Sequence, residues 1–430
     1  MAERVLEFGE ALAEVLRHAA GVTAARGVER VSLKEAAGRV LAEVVRAVRD
    51  QPGFDRSTRD GFAMRAGDVA RELRVVGSVR AGEMWRGAAV GEGEAVEIMT
   101  GAPMPEGADA VVMVEHVGVE DGVLRVEAGR VLQAGENVVP RGAEARLGDA
   151  MLPVGRVMGA AEIAVAASCG MAEVRVFERP KVAIVSTGDE LVEVGAGREL
   201  EAWEIYNSNS YAVAALVRGE GGFGGRLEIA RDTREDLFER IAQGSMWDLM
   251  VLSGGVSMGK YDLVEEVLRE FGAEFFFTGA KIQPGKPVVF GRLPKRGSFQ
   301  TEEDGTYRIV DEGPWDGEWT YFFGLPGNPI STQVCFHLFV APMLRALAGR
   351  SSIAPVFMEA RLAEDVKGGA KVMRFLPAEM VSAWDGVTVR VVGWQGSGDV
   401  AANARGNCYV VLPVGTEGFA KGETVRVLLR

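Results

Sequence analysis

Three short stretches of this chain combine glycine with hydroxyl or acidic residues in a way that suits an anionic ligand. They are Ser186-Thr187-Gly188-Asp189-Glu190, Ser253-Gly254-Gly255-Val256-Ser257-Met258-Gly259 and Gly324-Leu325-Pro326-Gly327-Asn328-Pro329. Glycine lets a backbone approach a phosphate closely, and a helix starting after such a turn adds unpaired N–H donors and the positive end of its dipole. Pro329 suits the first turn of a helix, and Ser331 and Thr332 follow with hydroxyls. One glycine-rich turn is commonly only a turn, because turns need glycine. Three in one region, each after an apolar run, point together to a nucleotide-like ligand.

Other residues sharpen the chemistry. Gly254 to Lys260 fits the GxxxxGK part of a triphosphate-binding loop, but Tyr261 stands where a magnesium-binding Ser or Thr is needed. The nucleotide-triphosphatase reading fails there, while Asp262 next to it offers an oxygen ligand by another geometry. In Gln283-Pro284-Gly285-Lys286-Pro287 a lysine is presented from a stiff loop, and its point charge suits a phosphate or oxyanion. Glu190, Asp232 and Asp262 lie near predicted strand ends. Carboxylates beside phosphate-binding turns suggest magnesium, which bridges carboxylates and phosphates. Each of them also suits a helix cap.

The elements that position these residues follow from apolar patterning. Val182–Val185, Leu249–Leu252, Val288–Phe290 and Tyr321–Phe323 predict strands, and Asn209–Val217, a stretch from Leu263, and Ile330–Leu347 predict helices. This alternation predicts a three-layer α/β domain over 179–350, with a mostly parallel sheet covered on both faces and ligands beyond the carboxyl ends of its strands. The polar, acidic segment Pro294–Trp319 predicts a loop or exposed hairpin. Upstream, Val5, Leu6, Leu12, Val15 and Leu16 predict a helix, and the capping-box pair Ser32 and Glu35 predicts a second, carrying Leu33, Ala36, Val40 and Leu41. The stretch QPGFDRSTRDGFAMRAGD after Asp50 predicts a loop, followed by strands at Leu73–Val79, Ala95–Met99 and Ala110–Val114 in a β-rich domain ending near Pro140. Helical patterning resumes over Gly142–Met171. Runs at Val387–Val392, Tyr409–Leu412 and Thr424–Leu429 predict a small closed or sandwiched β domain at the end.

Composition bounds the reading. A chain of 430 residues suggests about three domains, and 47% hydrophobic with 25% charged residues is ordinary for a globular protein. A net charge of -13 argues against nucleic acid as a partner and leaves a small anion open. No apolar run approaches the roughly 20 residues of a membrane span, and the mixed-charge start MAERVLEFGE is unlike a signal peptide, so a cytoplasmic protein without membrane contact is expected. Cys169, Cys335 and Cys408 are scattered, and His18, His116 and His337 are few, which supports neither disulfides nor a zinc site. Any metal should be a hard ion held by oxygen.

In this order, STGDE, SGGVSMGKYD, QPGKP and GLPGNP resemble the molybdopterin molybdenumtransferases, the molybdenum insertases of molybdenum-cofactor biosynthesis. The resemblance extends over GFDRSTRDGFAMR at Gly53–Arg65, EIMTGAPMPEGADAVVM at Glu97–Met113, ENVVPRGAE at Glu136–Glu144 and GSGDVAANARGN at Gly396–Asn407. It implies an elongated homodimer with four domains per chain. These would be a discontinuous helical dimerisation arm (1–48 and 141–178), an inserted β-rich domain (49–140), the α/β molybdopterin-binding domain (179–350) and a C-terminal β-barrel (351–430). It also implies an active site between the α/β domain of one subunit and the inserted domain of the other. There adenylylated molybdopterin and molybdate react, with Mg2+, to give molybdenum cofactor and AMP, and a molybdopterin adenylyltransferase is an expected partner.

Residue by residue, Asp60 matches the family's essential aspartate, and Thr100 lies in its MTGAP motif; with Lys286 and Glu190 these are the expected catalytic groups. Glu190, Asp232 and Asp262 match acidic positions around magnesium. Thr187, Gly188, Ser253, Gly254, Gly255 and Ser257 would line the pterin nucleotide, as would Pro326, Gly327, Asn328 and Pro329. Lys286, Pro287 and Ser331 match positions near molybdate, joined by Arg374 and Ser397 of the last domain. The chain departs from the family at Thr58-Arg59, usually Ala-Met, and at Glu144, commonly Asp. It departs again at Gln283, Lys in some relatives, and at Ala401-Ala402, often Ser-Ser. Two other readings share part of the pattern: an adenylyltransferase, which has little beyond the α/β domain, and a catalytically weakened pterin-binding scaffold.

Overall fold

The computed structural model describes residues 4–22, 27–255, 263–295, 299–301, 307–309, 318–369 and 371–430; Ser257 and Asp262 lie outside the described residues. The chain forms two compact units. One comprises Met1–Glu29, Gly38–Ala42 and Val176–Arg430, the other Arg30–Ala37 and Glu43–Arg175.

A six-stranded sheet organises the larger unit, in the spatial order Phe223–Arg226, Lys181–Ser186, Leu249–Ser253, Trp319–Leu325, Val289–Pro294 and Glu274–Phe277. The first four strands are parallel, and the last two pairings are antiparallel. Burial on both faces explains the continuous apolar runs. Val182 and Ile184 face one cluster, with Val213 and Val217 of the helix Ser208–Gly219. Ala183 and Val185 face another, with Leu237 of the helix Arg234–Gly244 and Val267 of the helix Leu263–Glu270. The helix Pro329–Leu347 passes through a π-turn at Phe336–Val340. It is long and apolar enough to cross a membrane, yet 89% of it is buried inside the protein, which makes it a core helix. The described part of the acidic insert is a hairpin, Phe299–Thr301 against Tyr307–Ile309.

The C-terminal strands close into a barrel of five. Met373–Ala383 pairs with Gly386–Val391 and Cys408–Leu412, Gly386–Val391 with Phe357–Leu362, and Thr424–Leu429 bridges Phe357–Leu362 to Cys408–Leu412. Closure leaves no open edge around the ring.

At the N-terminus the structure corrects two expectations. Val5–Leu6 is a strand, parallel to Gly279–Ala280, and the helix begins only at Phe8, running to Gly21. Its Ala11, Val15 and Ala19 are buried in the cluster that holds Val340 and Leu344. Ser32 does not open a helix. It ends the strand Val28–Ser32, and its hydroxyl donates to the Glu35 carboxylate at 2.8 Å while the Glu35 N–H bonds the Ser32 carbonyl at 3.0 Å, closing a turn. The Leu33 N–H bonds the Ala172 carbonyl at 3.1 Å, tying this turn to a distant segment.

In the smaller unit a six-stranded sheet runs Ala110–Met113, Gly61–Met64, Glu94–Ile98, Glu72–Val79, Val123–Val126 and Val117–Glu120. Gly61–Met64, expected within a loop, is a fully buried strand paired on both sides. Its Phe62 and Met64 face one core and Ala63 the other. Flanking polar residues hide this four-residue element from a pattern search. Helical patterning over 142–171 yields one helix, Ala160–Ser168, while Ala150–Leu152 is a strand against Val45–Arg46.

Candidate functional site

Register brings the three glycine-rich turns to one level. Ser186 lies opposite Ser253, and Ser253 opposite Leu325, so all three turns leave the sheet at the same edge. Backbone bonds then join them: the Thr187 N–H donates to the Ser253 carbonyl at 3.0 Å and the Gly254 N–H to the Leu325 carbonyl at 3.2 Å. Gly254, at φ +95°, has no room for a side chain, because a Cβ would collide with the Thr187 carbonyl.

Two adjoining cavities open over these turns. The larger, of about 470 Å³, is lined by Ser186, Thr187, Ser253, Gly254, Asn328 and Pro329, with Ile205 and Tyr206 exposed on its wall. The smaller, of about 280 Å³, is lined by Gly188, Glu190, Asp232, Gly255, Pro287 and Pro326. Thr187, Glu190, Gly254, Gly327 and Asn328 are shared by both.

The helix Ser208–Gly219 supplies residues that pattern reading passed over. Asn209 Nδ2 donates to Ser253 Oγ at 3.2 Å and to the Gly327 carbonyl at 2.6 Å, tying the second turn to the third. Asn207 caps the helix and accepts the Ser186 hydroxyl at 3.0 Å. Asparagine before a helix normally signals only a cap. Here Asn207 Nδ2 and Thr187 Oγ1 are buried without a partner among the described residues, and both residues line the larger cavity. Unpaired buried polar atoms are rare and costly, and they mark places where a ligand or water completes the bonding.

The acidic cluster sits at the smaller cavity. The Asp232 N–H donates to Asp189 Oδ1 at 3.2 Å. Burial, then the charges of Asp189 and Glu190, push the Asp232 carboxyl above its ordinary range. No group of three or more His, Cys, Asp or Glu side chains is placed to hold a metal among the described residues. Oxygen-only chemistry still suits magnesium, which keeps waters and takes one or two carboxylates together with phosphates.

Residues expected near an oxyanion come from two parts of the larger unit. Lys286 is exposed and has no ion-pair partner among the described residues. Parallel pairing sets Arg374 of the barrel beside Gln283 of the same loop, and Arg374 Nε is buried without a partner among the described residues. The Ser397 carbonyl accepts the Ile330 N–H at 2.9 Å, which docks the barrel loop on the N-terminus of the core helix. Ser331 is buried in that first turn. Ala402 is buried, its N–H capped by Asp399 Oδ1 at 2.9 Å, whereas Ala401 is exposed.

Asp60 belongs to the smaller unit. Its Oδ1 accepts the Thr100 N–H at 2.6 Å and the Thr100 hydroxyl at 2.7 Å, and these two donors hold the carboxyl below the usual range. Of the departures, Glu144 forms an ion pair with Arg56 at 2.8 Å. Arg59 is exposed next to Asp60.

Comparison with known proteins places the whole chain. Family models match in order: "MoeA N-terminal region (domain I and II)" at 6–170, "Probable molybdopterin binding domain" at 183–346 and "MoeA C-terminal region (domain IV)" at 359–429. A molybdopterin molybdenumtransferase of Staphylococcus aureus is 33% identical over 407 residues, covering 93% of this chain and 90% of that one. One from Staphylococcus epidermidis is 32% identical over the same length. A solved molybdopterin biosynthesis MoeA protein of Pyrococcus horikoshii is 31% identical, with TM-score 0.70 over 99% of both chains. A second structure from that organism is 26% identical, with TM-score 0.76 over 99% of this chain and 100% of that one. Motif order, barrel, glycine-rich turns and these likenesses converge, and the chain belongs to the molybdopterin molybdenumtransferase family.

Proposed function

We propose that this enzyme inserts molybdenum from molybdate into adenylylated molybdopterin, releasing AMP and giving molybdenum cofactor. The observation that carries the reading is the pair of cavities over the three turns, where Thr187 Oγ1 and Asn207 Nδ2 are buried without partners among the described residues. These atoms, the glycine backbone and the exposed Tyr206 suit a nucleotide with a flat ring system. Molybdate is a dianion approaching a dithiolene and a phosphoanhydride, so the bare encounter is repulsive. Lys286, Arg374 and the N-terminus of the core helix offset the oxyanion's charge. Glu190, Asp232 and, by motif, Asp262 would hold Mg2+, which would supply charge neutralisation at the phosphates. Burial first, and then the charges of Asp189 and Glu190, raise the Asp232 carboxyl, and a cation would relieve the second of these.

The same reading makes the chain a cytoplasmic homodimer of four-domain subunits, with Asp60 serving a second subunit's site and a molybdopterin adenylyltransferase supplying the substrate. The test is to incubate purified protein with adenylylated molybdopterin, Mg2+ and molybdate or tungstate, and to measure AMP. Oxyanion-dependent release is expected. Release without oxyanion would make the protein a hydrolase, and no release would leave it a binding scaffold.

A further inference from the structure

A further cavity, of about 420 Å³, opens on the same two helices that reach the pterin site, but further along them. Ser208, Asn209 and Pro329 at the helix starts line the first site, whereas Ala212, Ala215, Leu216 and Phe336 form the apolar wall of the second. Its polar lining is Glu220, Gln333, His337 and Arg430.

His337 is the unusual member. It lies within the π-turn of the core helix, and extra residues of this kind recur at functional positions. The side chain is 6% exposed, and its Nε2 is buried with no partner among the described residues. Burial, with the Arg430 charge second, pushes its imidazole down to about 4, so it is neutral at physiological pH and offers a hydrogen-bonding nitrogen.

The charge around it is positive. Glu220 is already held by Arg345, at 2.5 and 2.8 Å, and by Arg350 at 3.1 Å. The Arg430 guanidinium bonds the Asn403 side chain and the Asn403 and Gly406 carbonyls and lies over the Tyr409 ring, with no carboxylate partner among the described residues. Among the described side chains, the three guanidinium groups of Arg345, Arg350 and Arg430 stand against the one carboxylate of Glu220. Arg430 and Gln333 line the cavity together with Leu216, Ala212 and Ala215.

We propose that this cavity is a second ligand site, for a small carboxylate with an apolar body, whose head meets Arg430, Gln333 and His337 Nε2 and whose body lies on Leu216, Ala212 and Ala215. It is independent of the chemistry proposed for the first site.

Benzoate is the probe. The chain has three histidines, so protein labelled at histidine Cε1 gives a spectrum simple enough to follow each ring, with His337→Gln identifying its signal. Benzoate is expected to shift the His337 signal saturably, with a dissociation constant on the order of millimolar, as befits so small a ligand. The signals of His18 and His116 should stay in place. Ala215→Phe fills the cavity from an exposed helix position and should weaken binding by about tenfold or more, with the circular dichroism unchanged. Benzyl alcohol, the same ring without the charge, should bind several-fold more weakly. An absent or unsaturable His337 shift would overturn the site, as would benzoate binding unchanged in Ala215→Phe. Equal affinity for benzyl alcohol would overturn the carboxylate assignment.

Discussion

Asp60 and Thr100, forty positions apart in sequence, form a closed pair in which one carboxylate oxygen accepts both the N–H and the hydroxyl of the threonine. Oδ2 of Asp60 has no partner among the described residues. Thr100→Val keeps the N–H and removes the hydroxyl. The Asp60 carboxyl, now held low by both donors, should move up towards its ordinary value, read by carbon NMR titration. A depressed carboxylate stabilises the fold above its unfolded pKa and loses that contribution as pH falls through the folded value, so the variant should show a weaker contribution in that acidic window. An unshifted titration would remove the hydroxyl from the account.

Asp232 behaves in the opposite sense. Its carboxyl is raised, so its contribution to stability is present below the unfolded value and lost as pH rises through the folded one. At neutral pH the charged cluster with Asp189 and Glu190 is a cost that a bound cation relieves. Mg2+ should therefore raise the thermal midpoint at neutral pH, and Asp232→Asn should shrink that rise. A Mg2+ response that is the same in both proteins would place the ion elsewhere.

Lys286 is exposed and has no ion-pair partner among the described residues, and removing it should leave the fold intact. Lys286→Ala should reduce oxyanion-dependent AMP release by about tenfold or more while changing binding of adenylylated molybdopterin little. Equal losses in both measurements would reject its assignment to the oxyanion.

Asn209 holds the second and third turns together through Ser253 Oγ and the Gly327 carbonyl. Asn209→Ala removes both bonds, and because the exposed Gly327 carbonyl turns to water instead, the expected cost is about 0.5–1.5 kcal/mol, seen as a lower urea midpoint. Affinity for the pterin nucleotide should fall with it, because the turns lose their common strut.

Gly254→Ala would place a Cβ against the Thr187 carbonyl at a backbone φ of +95°. A loss of about 1–3 kcal/mol is expected from the positive φ alone, with more from the collision. Full retention of stability would mean the turn can change its path.

How much of this was legible follows from what each feature depends on. The strands Lys181–Ser186, Leu249–Ser253 and Trp319–Leu325 are buried on both faces, so their composition alone announces them, and the turns follow because glycine is required where φ is positive. Gly61–Met64 was hidden, since four residues flanked by charge carry no readable period. The Ser32 turn uses capping-box residues for a local bond with no helix following, so the residue pair alone does not announce a helix.

The sequence by itself determined the ligand class: glycines, hydroxyls, carboxylates and Lys286 at set positions in ordered motifs are local properties of the chain. Only the tertiary structure decided which of them share a cavity. The strand register that aligns Ser186, Ser253 and Leu325, the Asn209 strut and the pairing that sets Arg374 beside Gln283 are contacts between distant segments. Such contacts depend on how two-sided burial and barrel closure bring the elements together, and no local pattern encodes that choice.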